Sequence, residues 1–293
     1  MTTDHLIPAA AAVIDQSASA RVDWLRRSCW LPYPRAEALL QKLEMLLSEP
    51  RRPRMPNLLI YGPTNNGKTT ILRRFLKAHP VNQSPTETSD HVPVLYAHLP
   101  PVPDERAFYD ELLSNFATPI LRSDRTIDKR RQVVNLMRHT RVRILVLDEV
   151  QDILAGDSKR HLAILQVLKW LGNVLEIPIV AAGIESAYNA ISLEAQLSNR
   201  FAQFELPRWK CDDNFEDLLD NFESVLPLRQ RSGLASEKLK RMCFDLSEGI
   251  LGELGELLRS AAREALLRRQ EKISRTTLLE LEWVKPSLRH KRK

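Results

Sequence analysis

Short unbroken apolar runs alternate along this chain with stretches whose apolar positions recur every three or four residues. Leu39, Leu40, Leu43, Leu46 and Leu47 share one helical face, which predicts an amphipathic helix from Pro34 that stops before the Pro/Arg-rich linker at 49–56. Asn57-Leu-Leu-Ile-Tyr61, bounded by Pro56 and Gly62, reads as a buried strand, and a helix follows over Lys68 to Ala78. Further strand candidates lie at 92–97, 143–147, 177–182 and 204–206, with helical stretches at 104–116 and 159–175 between them. Strands alternating with helices predict an α/β fold, a parallel sheet covered by helices on both faces.

After Pro207 the strand signals stop. Four helical segments follow, near 213–225, 236–246, 251–268 and 274–281, and they predict a smaller helical domain. The first two dozen residues carry small, polar and acidic types with no sustained period, which reads as a mobile arm. The expected organisation is thus an arm over 1–24, an α/β domain over 25–207, a helical domain over 208–284 and a basic tail over 285–293. No internal repeat is present.

A length of 293 residues fits one or two domains sharing a core, and 43% hydrophobic with 27% charged residues argues against wholesale disorder. No apolar run approaches the roughly 20 residues of a membrane-spanning helix, and Pro8 to Val13 lacks the basic flank of a signal peptide, so a cytoplasmic protein without a membrane partner is expected. Cys29, Cys211 and Cys243 are odd in number and far apart, which supports neither a disulfide framework nor a zinc site. The net charge of +6 permits a polyanionic partner. Its basic clusters precede the first strand at Arg51, Arg52 and Arg54, run from Arg122 to Arg131, and close the chain at 289–293.

Between the first strand and its helix, Gly62-Pro63-Thr64-Asn65-Asn66-Gly67-Lys68-Thr69 matches G-x-x-x-x-G-K-[ST]. The glycines let the backbone curl so that successive N–H groups face phosphate oxygens, and the following helix presents its positive end to them. Lys68 is placed for the β- and γ-phosphates and Thr69 for Mg²⁺. Gly62 to Thr69, with Thr70 after them, are the nucleotide-binding candidates, and ATP and Mg²⁺ the expected cofactors.

A second motif, Ile144-Leu-Val-Leu-Asp148-Glu149, is an apolar run ending in two adjacent carboxylates. In this class of site an aspartate at the strand end holds the metal shell and a neighbouring glutamate polarises the attacking water. Thr69 and Asp148 are therefore the metal-side candidates and Glu149 the general base, with Lys68 as the catalytic cation. Adjacent carboxylates point to hydrolysis, and no N-K-x-D motif suggests a guanine site. A plainer reading, in which acidic residues open the next helix, suits a single aspartate better than this pair.

The string from Arg54 to Thr69, with its paired asparagines, resembles the opening of TniB/TnsC-type transposition ATPases. So do Trp30-Leu-Pro-Tyr33-Pro34-Arg35-Ala36, Ile177-Pro178, Gln196-Leu-Ser-Asn-Arg200-Phe201, Leu226-Pro-Leu-Arg229 and Glu248-Gly-Ile-Leu-Gly-Glu253. The resemblance implies a P-loop AAA+ fold with a C-terminal helical lid, whose subunits assemble side by side. It implies regulators that coat double-stranded DNA as rings or filaments, recruit a transposase, work with a TniQ-type adaptor and disassemble through ATP hydrolysis. Arg200 resembles an arginine finger for a neighbour's γ-phosphate, although an arginine at a helix end reads the same way.

Three positions depart from the pattern. Ala182-Gly183-Ile184 stands where relatives carry a Val-Gly-Thr-like stretch, Glu253 where many AAA+ proteins place a sensor arginine, and Gln151 at the histidine of Asp-Glu-x-His. The first two imply a weak, partner-stimulated ATPase, and the third an altered gating of Glu149.

The resemblance also raises Arg122, Arg125, Lys129, Arg130 and Arg131, preceding a helix, as candidate contacts to DNA phosphates; the charge pattern alone reads as a solvated face. Tyr33 and Pro34 are candidates to pack on adenine, or core residues. Two other readings remain open: another DNA-directed AAA+ ATPase such as a helicase loader or replication initiator, and a non-hydrolysing, nucleotide-switched scaffold.

Overall fold

The computed structural model describes residues 4–27, 29–82, 90–116, 124–155, 158–192 and 199–289. The chain divides into two compact units, Arg35–Leu206 and a second made of Met1–Pro34 with Pro207–Lys293.

The first unit is built on five parallel strands: β1 (Asn57–Tyr61), β2 (Val94–His98), β3 (Ile144–Asp148), β4 (Ile179–Gly183) and β5 (Phe201–Glu205). Their spatial order is β2-β3-β4-β1-β5. All five residues of β3 and of β4 are buried, as expected for parallel strands covered on both faces. The strand β1, between β4 and the edge strand β5, runs in register with both neighbours, Leu59 opposite Ala181 on one side and Gln203 on the other. The strand expected at 204–206 begins three residues earlier, because Phe201 and Phe204 are the buried positions of an edge strand that leaves Ala202 and Gln203 exposed.

The helices here are α3 (Pro34–Ser48), α4 (Lys68–Ala78), α5 (Glu105–Ser114), α6 (Thr126–His139), α7 (Ser158–Leu175) and α8 (Glu185–Ser192), of which α3, α4, α5 and α7 lie on the expected helical stretches. In α3 the buried positions Ala36, Leu39, Leu43 and Leu46 recur at helical spacing. Phe108, Tyr109, Leu112 and Leu113 of α5 join Leu145 and Leu147 of β3 and Leu165, Leu168 and Leu171 of α7 in one apolar cluster. At roughly 1.5–3 kcal/mol per buried large side chain, this cluster dominates the unit's stability.

The second unit is helical. After Leu206 come α9 (Asp213–Val225), α10 (Glu237–Ser247), α11 (Leu251–Leu267), α12 (Arg275–Leu279) and α13 (Pro286–Arg289). Asp212 caps α9 by accepting from Phe215 N, and Ser274 with Thr277 forms a capping box at α12. The buried Glu223 carboxylate accepts from the backbone N–H groups of Gly233 and Leu234 at 3.0 Å each, fixing the loop before α10.

The expected mobile arm is not what the structure contains. Residues 8–11 and 18–25 form α1 and α2 within the helical unit. Leu6, Ala10 and Ile14 make a small cluster with Trp24. Arg21 is 4% exposed; its Nε donates to Pro227 O at 2.8 Å and its Nη2 pairs with Glu271 Oε2 at 2.6 Å. These helices are too short to stand alone and are held by partners some 200 residues away, which local periodicity does not register. The boundary consequently falls after Pro34, not before residue 25. Residues 290–293 of the basic tail lie outside the described residues.

Candidate functional site

The phosphate loop leaves β1 at Gly62, where a side chain has no room: a Cβ there would lie 2.2 Å from Leu206 O. Gly62 N donates to Gly183 O, and Leu206 N to Tyr61 O, so β4 and the end of β5 grip the root of the loop from both sides. The paired asparagines divide the work. Asn65 takes a left-handed backbone (φ 60°) at the exposed tip, a conformation asparagine tolerates better than most residues. Asn66 is buried, and its Nδ2 donates to Leu206 O at 2.8 Å. Gly67 (φ 89°) then turns the chain into α4. Pro63, Thr64 and Thr70 lie around the same loop, Thr64 and Thr70 exposed.

Lys68 opens α4 with its side chain folded back over the loop. Its Nζ donates to Gly62 O at 2.9 Å and to Pro63 O at 2.8 Å. Burial pushes its pKa below the ordinary lysine value, against the opposing fields of Glu149 and Asp148. The ammonium thus sits in a partly desolvated pocket, where its interaction with an arriving anion is strong.

Asp148, 1% exposed at the end of β3, gathers three donors. Thr69 Oγ1 donates to its Oδ2 at 2.7 Å, Tyr96 Oη donates to the same oxygen at 2.8 Å, and Glu149 N donates to Oδ1 at 3.0 Å. The two motifs, 79 residues apart, therefore meet. A hydroxyl and a carboxylate in contact are hard oxygen donors that suit Mg²⁺, an ion that takes one or two protein ligands and completes its shell with phosphate and water. No cluster of three or more His, Cys, Asp or Glu side chains able to cage a metal occurs among the described residues.

Tyr96 is a site residue that the periodic pattern of its strand does not mark out. Burial, the hydrogen bond to Asp148 and that carboxylate's charge all raise its pKa, so it stays a protonated donor. Glu149 follows with φ 58°, an unusual backbone for a glutamate. Asp152 N donates back to its carbonyl at 3.0 Å.

The remaining candidates are scattered. Arg200 immediately precedes β5; its Nη1 donates to Asn173 Oδ1 at 2.9 Å and its carbonyl accepts from Asn57 N. Tyr33 is packed in the helical unit, edge-on to Trp209 at 5.2 Å, with burial pushing its hydroxyl to about 12; Pro34 begins α3. Glu253 forms an ion pair with Arg289 at 2.7 Å.

The basic stretch between the motifs divides. Arg122 lies outside the described residues. Arg125 is exposed at the N-terminus of α6, and Lys129, Arg130 and Arg131 lie inside that helix and not before it. Lys129 is corrected: it is 1% exposed and ion-paired with Asp110, a core cation with no surface to offer a phosphate. Arg130 stacks over Trp170 at 4.9 Å. Arg131 is exposed. A basic stretch on an amphipathic helix alternates between solvent and core, and Lys129 falls on the core side. Among the described residues, no helix is long and apolar enough to cross a membrane.

A phosphate loop after β1, the Asp-Glu pair at the end of β3 and this strand order define a P-loop fold of the AAA+ class. Within that class the chain belongs to the TniB family: the family model described as bacterial TniB protein matches residues 21–211. Among solved structures, the ORC2 protein of Aeropyrum pernix in its ADPNP–ADP complexes is similar with a TM-score of 0.61 at 16% identity, over 87% of this chain and 70% of that one. Cdc6p of Pyrobaculum aerophilum gives 0.60 at 17%, over 86% and 68%. The Holliday junction branch migration motor RuvB of Thermotoga maritima gives 0.51 at 13%, over 88% and 72%. At such identities the likeness is one of fold. No curated protein matches the chain in sequence.

Proposed function

We propose that this protein is an ATP-hydrolysing, DNA-associated regulator of transposition, which assembles with copies of itself on duplex DNA and recruits or activates a transposase. The observation that carries the reading is the contact between Thr69 and Asp148 with Glu149 next in the chain. It joins phosphate binding, a metal-side pair and a candidate base in one place. Membership of the TniB family supports the transposition context, and similar folds in an ORC1 protein solved in complex with DNA and in ORC bound to DNA support DNA as the partner.

In this reading the loop from Gly62 to Thr70 holds the triphosphate of ATP and Lys68 offsets its charge. Thr69 and Asp148 hold Mg²⁺, which when bound neutralises charge on the phosphate oxygens. The Glu149 carboxylate accepts the proton of the attacking water. Arg200 reaches the nucleotide of a neighbouring subunit, Tyr33 and Pro34 flank the adenine, and Arg125 and Arg131 contact DNA phosphates. The unit Arg35–Leu206 serves as the ATPase domain, and the Pro207–Lys293 part of the helical unit as the lid. A TniQ-type adaptor selects the target, hydrolysis drives disassembly, and intrinsic turnover is slow until a partner intervenes.

The test is duplex binding by the full chain with ATP, with a non-hydrolysable analogue and without nucleotide, read by anisotropy and by electron microscopy. Salt-sensitive binding and rings or filaments with nucleotide alone are expected; DNA binding and assembly indifferent to nucleotide would overturn the reading. The fold likeness to ORC2 and Cdc6p favours a replication initiator or helicase loader as the second reading. Co-purification with a replicative helicase, and no stimulation of strand transfer by a transposase encoded beside it, would favour that alternative.

A further inference from the structure

The end of β4 carries no polar side chain. Ala182, Gly183 and Ile184 offer no side-chain hydroxyl or amide. An amide nevertheless reaches that place, from a different element. Gln151 lies in the 3₁₀ turn Val150–Ala155 directly after Glu149. Its Oε1 accepts from Ile184 N at 3.1 Å, and its Nε2 donates to Glu149 Oε2. One side chain thus bridges the carboxylate at the end of β3 to the backbone leaving β4.

The chemistry of the two ends leaves no ambiguity about the amide's orientation. A backbone N–H requires an acceptor and a carboxylate requires a donor, so the carboxamide is fixed by its partners. Glutamate at this position could not donate to Glu149, and methionine could make neither bond. Gly183 makes the approach possible: a Cβ there would lie 2.6 Å from Gln151 Oε1 and 2.7 Å from the Ala187 Cβ. The bare Cα of Gly183 is the space through which the Gln151 side chain reaches Ile184.

Glu149 needs such a tie. Its left-handed backbone leaves the side chain at a turn, not along the strand axis, and without a partner the carboxylate would sample several rotamers. A base that must meet a water within hydrogen-bond reach works only where its geometry is held.

We propose that Gln151 is a positioning residue for the Glu149 carboxylate, supplying from the β3 side the polar contact that the Ala182–Ile184 stretch does not. The inference rests on Glu149 being the base of ATP hydrolysis. It implies that the change from histidine at position 151 and the missing polar residue after β4 are one linked feature, with one amide serving both positions.

The experiment measures single-turnover ATP hydrolysis, KM, affinity for a fluorescent ATP analogue and the melting temperature for wild type, Gln151→Met, Gln151→Glu, Gln151→His and Glu149→Gln in the full chain. Gln151→Met keeps the length without the hydrogen bonds. The expected result is a fall in kcat of about ten- to a hundredfold at unchanged KM, analogue affinity and melting temperature. Gln151→Glu falls at least as far, and Gln151→His, with one donor and one acceptor, recovers part of the rate. Wild-type kcat in Gln151→Met, or a loss shared equally by nucleotide affinity and melting temperature, would overturn the proposal. The two levels separate cleanly. Hydrolysis at the wild-type rate in Glu149→Gln removes the base and this proposal together, whereas an inactive Glu149→Gln beside a fully active Gln151→Met removes only the role of Gln151.

Discussion

Tyr96 Oη and Thr69 Oγ1 donate to one and the same oxygen, Asp148 Oδ2, at 2.8 and 2.7 Å. A side chain from β2 and one from α4 thereby fix the carboxylate of β3 from two directions. Outer partners of this kind orient a ligand and set its strength. Tyr96→Phe removes one of them without altering the packing. The expected outcome is a rise of about tenfold in the Mg²⁺ concentration that gives half-maximal hydrolysis, with KM for ATP at saturating Mg²⁺ little changed. A magnesium titration of the two proteins checks it, and superimposable curves would show that Tyr96 only fills space.

Lys68 has its ammonium against two loop carbonyls, and burial holds its pKa below the usual value. Lys68→Ala therefore removes the charge meant for the triphosphate while sparing the sheet. We expect ATP-analogue affinity to fall by at least about tenfold, the equivalent of 1.4 kcal/mol, and circular dichroism to remain native. Retained affinity would remove Lys68 from the phosphate site.

Lys129 and Arg131 sit two residues apart on α6 and should behave in opposite ways. Lys129→Ala strands Asp110 without its buried partner. Because Asp110 is itself 35% exposed, the cost falls at the lower end of the range for a broken buried pair, about 3 kcal/mol, with the duplex affinity of the folded protein unchanged. Arg131→Ala should leave the melting temperature in place and lower the slope of log affinity against log salt by about one. Thermal melts and a salt series of duplex titrations distinguish the two.

Acid should loosen the helical unit through Glu271. The Arg21 hydrogen bond, with contributions from Arg229, holds the Glu271 pKa below its ordinary carboxylate value. A depressed folded-state pKa gives stability that is complete above the unfolded value, near 4.5, and is lost as pH falls through the folded value. Glu271→Gln should flatten that part of the stability–pH curve. It should also cost about 3 kcal/mol at neutral pH, because Arg21 is left buried and unpaired. Urea melts between pH 3 and 7 provide the measurement, and parallel curves for the two proteins would exclude the pair as the source.

What could be read from residues alone follows the range over which each signal acts. The loop at 62–69, the strand before it and the helix after it are local, and so is the Asp-Glu pair at the end of an apolar run. Tyr96 was not legible, since one tyrosine in a short strand carries no mark of the carboxylate it meets across 52 residues. The N-terminal helices were hidden for the same reason, being held by Arg21 on Pro227 and Glu271. Lys129 misled because charge was counted along the chain, whereas the helix turns one cation in every few toward the core. Gln151 was visible as a departure, but its reach to Ile184 depends on the bare Cα of Gly183, a three-dimensional fact.

The strand β5 has the two ends of a lever. Its preceding residue, Arg200, accepts from Asn57 at the entry to β1, and its following residue, Leu206, takes the Asn66 amide with its carbonyl and stands over Gly62. Between them lie five residues paired in unbroken register with β1, so that Arg200 and Leu206 stand about 20 Å apart at 3.3 Å per residue. Such a segment slides or tilts as a body far more readily than it stretches. Arg200 and the root of the phosphate loop are therefore tied to opposite ends of one strand.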